Sequence, residues 1–454
     1  MKQLLEKLIV YESDPILSAI DRIESSRFQI VFVVDQDHRL QGLITNGDLR
    51  RYLLNGGTTS ANASDCMNKS FRSVDSNTSR EELLKLLDLG FSVIPKVDTD
   101  GRLEDLVTRE YELASPETPV LARSRAPVRM SFGGGGSDLT YYFIDQPGAV
   151  ISTTVALYCH ATLRPRSDQH INIYSEDLNT HRHYDSLIDL LVDPEQDLLS
   201  SVVSVVKPSY GFDLYVRSDF PIGSGLGGSS ALATAVVAVF NEMRLDRWTT
   251  YEVAELAFHA ERVYFGVAGG WQDQYASAFG GFNLIEFGEK KNLVHTIRLE
   301  ESTRNELEEC LILCDTQIQH ESGSLHKKQR ETFITENKSS QLNDIVAICR
   351  EMHCHLTRGE LNDFGRCLNK AWVLKRSLSS SINNTSIADI YDAALNAGAI
   401  GGKLLGAGGG GFFLFFVQPE YRQSVSSKLK EMNCKLSTFR FENEGVISWR
   451  TKIL

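Results

Sequence analysis

The sequence predicts an α+β protein built in two parts. Three observations carry that expectation: a 63-residue repeat near the start, a proline-bearing stretch after it, and three glycine-rich loops in the remainder. A chain of 454 residues exceeds one ordinary core, because a domain takes roughly 150 residues. Apolar residues at 42% and charged residues at 23% belong to a folded globular chain. A net charge of −12 argues against nucleic acid as a partner, since neutralising phosphates requires clustered Lys and Arg. The apolar run FFLFFV at 412–417 falls far short of the roughly 18 residues of a membrane span, so no membrane partner is expected. The opening residues MKQLLEKLIVYESD hold no apolar core followed by a small-residue cleavage site. Eight scattered cysteines lack the dense spacing of a disulfide framework, and the expected setting is a reducing cytoplasm.

The repeat appears when VVDQDHRLQGLIT (33–45) is laid without gaps on KVDTDGRLEDLVT (96–108). Asp35 falls on Asp98, Arg39 on Arg102 and Thr45 on Thr108; upstream, Ile20 and Ile23 fall on Leu83 and Leu86 at helical spacing. Each copy reads as helix, strand, tight acidic turn, strand and closing helix, and two copies burying their faces on each other make one domain. The stretch resembles a tandem pair of CBS domains over residues 1–118. In GLITNGDLR the resemblance assigns Thr45 and Asp48 to the ribose hydroxyls of an adenine nucleotide or nucleotide-sugar effector. The second copy carries Tyr111 where that pattern has an acid, which implies at most one working site. Dimerisation alone is the alternative role, and the face-to-face association usual for such pairs implies a homodimer. Pro116 and Pro119 in LASPETPVLA oppose helix and sheet alike and mark the boundary.

Beyond it lie RAPVRMSFGGGGSD (125–138), PIGSGLGGSS (221–230) and GGKLLGAGGGG (401–411). Glycine lets backbone N–H groups approach a ligand unobstructed, although a plain turn explains any one such loop. Gly223, Gly225 and Gly228 satisfy G-x-G-x-x-G, but the preceding FDLYVRSDF alternates like a half-solvated antiparallel strand, whereas a dinucleotide-binding strand is apolar on both faces. No Lys follows the glycines, so the P-loop pattern fails as well. What remains is a helix start offering amides and the hydroxyls of Ser229 and Ser230 to a phosphate. Without a lysine, countercharge falls to a divalent metal. Glu261 leads as its ligand, with Glu255, His259 and Arg262 competing and surface charge as the plain alternative. Asp273, after a glycine-rich turn in GGWQDQYASAFGG, reads as a cleft carboxylate or a helix N-cap. Cys349, His353, Cys354 and His355 read as a metal cluster or as ordinary helix packing.

Taken in order and at these distances, the three loops resemble the GHMP kinase superfamily over residues 123–454. The resemblance implies a two-lobed fold: a ribosomal S5 domain 2-like N-lobe at about 123–305, a ferredoxin-like α/β C-lobe at about 306–454, and a cleft between them. It implies ATP and Mg2+ as cofactors and a sugar or sugar phosphate as substrate. Pro221, Gly223, Ser224, Gly225, Leu226, Gly227, Gly228, Ser229 and Ser230 match its phosphate loop. Glu261 matches the magnesium ligand, acting with Ser229 or Ser230, of which Ser229 is favoured. Asp273 matches the general base, and Arg129 the basic residue of the first motif. Gly134, Gly135, Gly136, Ser137 and Asp138 match the acceptor loop, Asp138 as the holder of a sugar hydroxyl. Gly135 and Gly136 replace a Glu-His pair found in many members, which implies other acceptor contacts than in galactokinase. GGGGSD, AWVLKRSLS and GGKLLGAGGGG look most like the bacterial D-glycero-D-manno-heptose 7-phosphate kinases, which phosphorylate an anomeric hydroxyl. Lys403, Gly408 and Gly409, with Lys375 and Arg376, are then candidates for the acceptor and its phosphate, although DTQIQHES (315–322) lacks an arginine expected near His320. The alternatives are an unphosphorylated sugar as acceptor, as for a fucokinase or galactokinase, and a catalytically inactive nucleotide-binding regulator.

Overall fold

The 63-residue spacing reappears strand for strand in the computed structural model. Strands Ile30–Val34 and Leu40–Thr45 return as Val93–Val97 and Leu103–Thr108, and each pair carries a bulge at the equivalent step. A short parallel strand, Ile9–Tyr11 or Val74–Asp75, completes each three-stranded sheet. Leu40 N donates to Gly101 O at 3.0 Å and Leu103 N donates to His38 O at 3.1 Å, around a bridge between Arg39 and Arg102. These reciprocal bonds join equivalent residues, as a local twofold axis requires. Leu5, Leu8, Phe32 and Val34 of the first copy share a core with Val93, Leu103 and Leu106 of the second.

The structure describes residues 5–75, 77–108, 120–221, 224–318, 339–378, 385–406 and 408–452. Tyr111, Pro116, Pro119, Gly223 and His320 lie outside them. Contacts divide the chain into Met1–Glu117 and Thr118–Leu454.

In the second unit a nine-stranded sheet is organised by two long neighbours, Val120–Gly133 and Gly148–Pro165. The first of these begins three residues ahead of the start read from sequence. Phe212–Ser218, expected in an antiparallel setting, is antiparallel to Gly148–Pro165 but parallel to Ile171–Ser175. Its alternation also has an exception, because Asp213 is buried, held by Arg166 at 3.0 Å and Asn172 at 2.8 Å. Helix Gly228–Glu242, rich in Ala and Val, is buried along most of its length against the long strands. FFLFFV is a fully buried strand of a second sheet, ordered 399–404, 412–417, 311–315, 435–437. Trp372, Tyr391, Phe413 and Phe415 pack that sheet against its helices. The C-terminal lobe read as 306–454 is not continuous, because Phe441–Glu442 and Ile447–Lys452 return to pair with the two long strands of the first sheet. Among the described residues no helix is long and apolar enough to cross a membrane.

Candidate active site

The phosphate-loop serines sit in the first turn of helix Gly228–Glu242, where unpaired amides and the helix dipole favour an anion. Gly227 precedes them at φ 78°, and a Cβ there would stand 3.2 Å from the Arg129 guanidinium carbon and 3.4 Å from the Asp273 carboxyl carbon. A side chain at 227 would therefore press on both groups. Gly225 and Gly406 touch across the site: a Cβ on Gly406 would lie 2.9 Å from the Gly225 Cα, so the second and third glycine loops meet backbone to backbone. Pro221, at the loop's start, is exposed, whereas Ser224 and Leu226 are buried.

Arg129 projects from the strand Val120–Gly133 and is buried. Its Nε lies 2.7 Å from Asp273 Oδ1, and its other arm donates to the Gly225 carbonyl at 2.8 Å, which ties the base candidate to the phosphate loop. Asp273 lies in the first turn of helix Gln272–Phe279 and Trp271 holds the N-cap position, so the N-cap alternative does not hold. Trp271 is fixed by stacking on Phe258 at 3.5 Å between centroids and by donating to Thr140 at 2.9 Å.

Glu261 is fully buried, which removes its reading as a surface charge. It lies in a π-helical turn, His259–Tyr264, a rare geometry that recurs at functional sites. Ser229 Oγ donates to one of its carboxylate oxygens and Ser230 Oγ to the other, each at 2.6 Å. Ser230 is fully buried and also bonds Arg262 and Gln274; Ser229 is exposed. An oxygen-only pair, hydroxyl and carboxylate, at a helix N-terminus fits a magnesium ion's preference for hard oxygen ligands. Gln274, absent from the residues read from sequence, also donates to Glu261 at 2.7 Å, and Arg262 stands between Glu261 at 3.3 Å and Asp273 at 3.8 Å. The two glutamines flanking Asp273 in WQDQ were the available signal. Gln272, the other one, holds Asp138.

Asp138 is buried, accepting from Gly136 N at 2.8 Å and Gln272 Nε2 at 2.9 Å. Burial pushes its carboxyl pKa up, and the charge of Asp273 adds to that. Gly134 and Gly136 take positive φ in this loop and Gly135 lies beside Gln272. Ser137 turns inward: its buried hydroxyl lies within hydrogen-bond reach of the carbonyls of Gly134 and Ala149, so it braces the loop.

Lys403, on strand Ala399–Leu404, is buried, and its pKa is driven well below the usual lysine value by burial and then by the charges of Lys375 and Arg129, with Asp138 opposing. Lys375 donates to the Gly406 carbonyl at 2.5 Å. Burial, then Arg129, brings it down to about 8, against Asp138 and Asp273. Its sequence neighbour Arg376 points elsewhere, 6.0 Å from the Tyr391 ring. Gly408 and Gly409 both take positive φ in the third loop. Cys349, His353, Cys354 and His355 share helix Ser339–Arg358 but do not converge. Cys349 is buried, Cys354 is exposed and His355 bonds Glu360, so helix packing accounts for them.

In the first unit, Thr45 and Asp48 form a capping box on helix Asn46–Leu54, with Thr45 Oγ1 2.6 Å from Asp48 Oδ2 and the other Asp48 oxygen on Arg51.

A family model for the GHMP kinase N-terminal domain matches residues 197–281, and one for the GHMP kinase C-terminal domain matches 345–433. The CBS domain model matches twice, at 5–55 and 63–111. A D-glycero-alpha-D-manno-heptose 7-phosphate kinase from Campylobacter jejuni is 34% identical over 72% of this chain and 98% of its own length. The chain belongs to the GHMP kinase family. A solved D-glycero-D-manno-heptose 1-phosphate kinase from Bacteroides thetaiotaomicron superposes with a TM-score of 0.61 at 29% identity, covering 73% of this chain and 99% of that one. An L-fucokinase/L-fucose-1-P guanylyltransferase from Bacteroides fragilis is 27% identical over 72% of this chain, which spans only 38% of that longer protein. This GHMP kinase is an ATP-dependent sugar kinase carrying an N-terminal CBS pair.

Proposed function

We propose that the kinase phosphorylates the anomeric hydroxyl of D-glycero-D-manno-heptose 7-phosphate. The observation that supports this most is the placing of two lysines at the third glycine loop: Lys403 lies on the strand Ala399–Leu404 that leads into it, and Lys375 donates to the Gly406 carbonyl. Two amines beside the residues assigned to the acceptor hydroxyl suit a sugar that already carries a phosphate. The heptose 7-phosphate kinase relative adds to that reading.

Asp138 accepts a hydrogen bond from a ring hydroxyl and orients the sugar. Asp273 takes the proton of the attacking anomeric hydroxyl, and Arg129 and Arg262 beside it favour the ionised carboxylate a base must present. The sugar oxygen forms its bond to the γ-phosphorus of ATP as the bridging P–O bond breaks and ADP leaves. The helix-start amides and Gly227–Ser230 receive the phosphates. Ser229 and Glu261 would hold Mg2+, which supplies countercharge to the terminal phosphates. Ser230, Gln274 and Arg262 keep Glu261 in place.

The test compares kcat/KM for heptose 7-phosphate with that for L-fucose and other unphosphorylated sugars, with ATP and Mg2+, and locates the new phosphate by 31P NMR. A higher kcat/KM for the phosphorylated heptose and an anomeric product are expected; preference for a free sugar overturns the proposal.

A further inference from the structure

The hairpin formed by strands Ile171–Ser175 and Thr180–Tyr184 carries a second set of ligating side chains, outside the phosphate-loop site. In its antiparallel register His183 stands opposite Asn172 and Tyr184 opposite Ile171. One step outward, His170 comes opposite Asp185. Because strand side chains alternate, 170, 172, 183 and 185 share one face. His170 Nδ1 lies 3.3 Å from Asp185 Oδ1, and His183 Nε2 lies 3.3 Å from that same oxygen. All three ligand atoms fall within 4.8 Å of one another.

A tetrahedral ion with bonds of about 2.0–2.2 Å to nitrogen and oxygen separates its ligand atoms by roughly 3.4 Å. Two of the three edges already have that length. The tautomer is set as well. His183 Nδ1 lies 2.9 Å from Asn172 Oδ1, an acceptor, so Nδ1 carries the hydrogen and the Nε2 lone pair faces the cluster. Asn172 is held by donating to Asp213 at 2.8 Å, and Asp213 is paired with Arg166. On the other side, His170 Nδ1 is shielded from solvent without a hydrogen-bond partner.

We propose that His170, His183 and Asp185 form a binding site for a divalent transition-metal ion of the zinc class. Two imidazoles and one carboxylate suit zinc, whereas Mg2+ and Ca2+ prefer oxygen ligands alone. Water completes the coordination from the exposed side. Two other groups of ligating side chains, both centred on His355, are less suitable. There Glu351 is bonded by Lys370, Glu360 by Arg358 and Asp363 by Arg366, and those cations repel a metal. Among the described residues Asp185 has only the two histidines as cationic partners.

The experiment titrates Zn2+ into the tag-free full chain by calorimetry and repeats the titration with Co2+, whose visible absorption reports tetrahedral ligation. Binding of one ion is expected. His183→Ala and Asp185→Asn should each weaken it at least tenfold and remove the Co2+ absorption, while His355→Ala leaves both unchanged. Kinase turnover of each variant confirms that it has folded. No binding by the parent chain, equal binding by His183→Ala, or loss of binding in His355→Ala overturns the proposal.

Discussion

Arg129 and Asp273, 144 positions apart, meet with Nε 2.7 Å from Oδ1, and the same guanidinium holds the Gly225 carbonyl. One side chain thus fixes both the carboxylate assigned as base and the loop assigned to phosphate. Asp273→Asn should lower kcat by about 10²–10⁴-fold, the range for a lost general base, while ATP affinity measured by calorimetry changes little. Arg129→Lys should also lower kcat, because one ammonium cannot reach Asp273 and Gly225 O together in the fork geometry.

The two phosphate-loop serines should separate by readout. Ser229→Ala should raise the Mg2+ concentration giving half-maximal rate and leave the melting temperature nearly unchanged, since Ser229 is exposed. Ser230→Ala leaves Glu261, Arg262 and Gln274 each short of a buried partner and should cost about 1–3 kcal/mol in denaturant unfolding. Equal Mg2+ dependence in the two variants would count against Ser229 as the metal ligand.

Acceptor recognition should depend on pH through Lys375. Its pKa is lowered to about 8, so its charge is present below that value and lost as pH rises through it. KM for a phosphorylated acceptor should therefore climb above pH 8, while KM for ATP should not follow it. Lys375→Met should flatten that rise, and Lys403→Met should raise KM for the phosphorylated sugar without raising it for a free one.

In the CBS pair, Asp48 caps a helix through Thr45 and pairs with Arg51. Asp48→Ala should cost about 1–2 kcal/mol in the unfolding of that unit. If Asp48 also holds ribose, the same change should abolish binding of adenosine nucleotides to the full chain, read by calorimetry with the kinase nucleotide site blocked by a non-hydrolysable ATP analogue.

Much of this was legible in one dimension because it depends on short-range pattern. The repeat that aligns Arg39 with Arg102, the serines opening helix Gly228–Glu242 and the alternation of Phe212, Leu214 and Val216 are set by neighbours a few residues away or by a fixed offset. Glu261 could be named ahead of Glu255, but its reading as a surface charge stayed open, because only the tertiary fold shows it buried against Ser229, Ser230 and Gln274. Ser137 shows a related limit: a serine in a glycine loop reads as a ligand contact, and only the fold shows its hydroxyl turned toward two backbone carbonyls.

By itself the sequence determined the two-part organisation, the internal symmetry of the first part and the residue types on each glycine loop. Tertiary structure alone decided that Gly225 would touch Gly406, that the strands at 441–452 would return to the first sheet, and that His170 and His183 would converge on Asp185. Those contacts follow from strand register and chain closure, which join residues whose sequence separation carries no periodic signal.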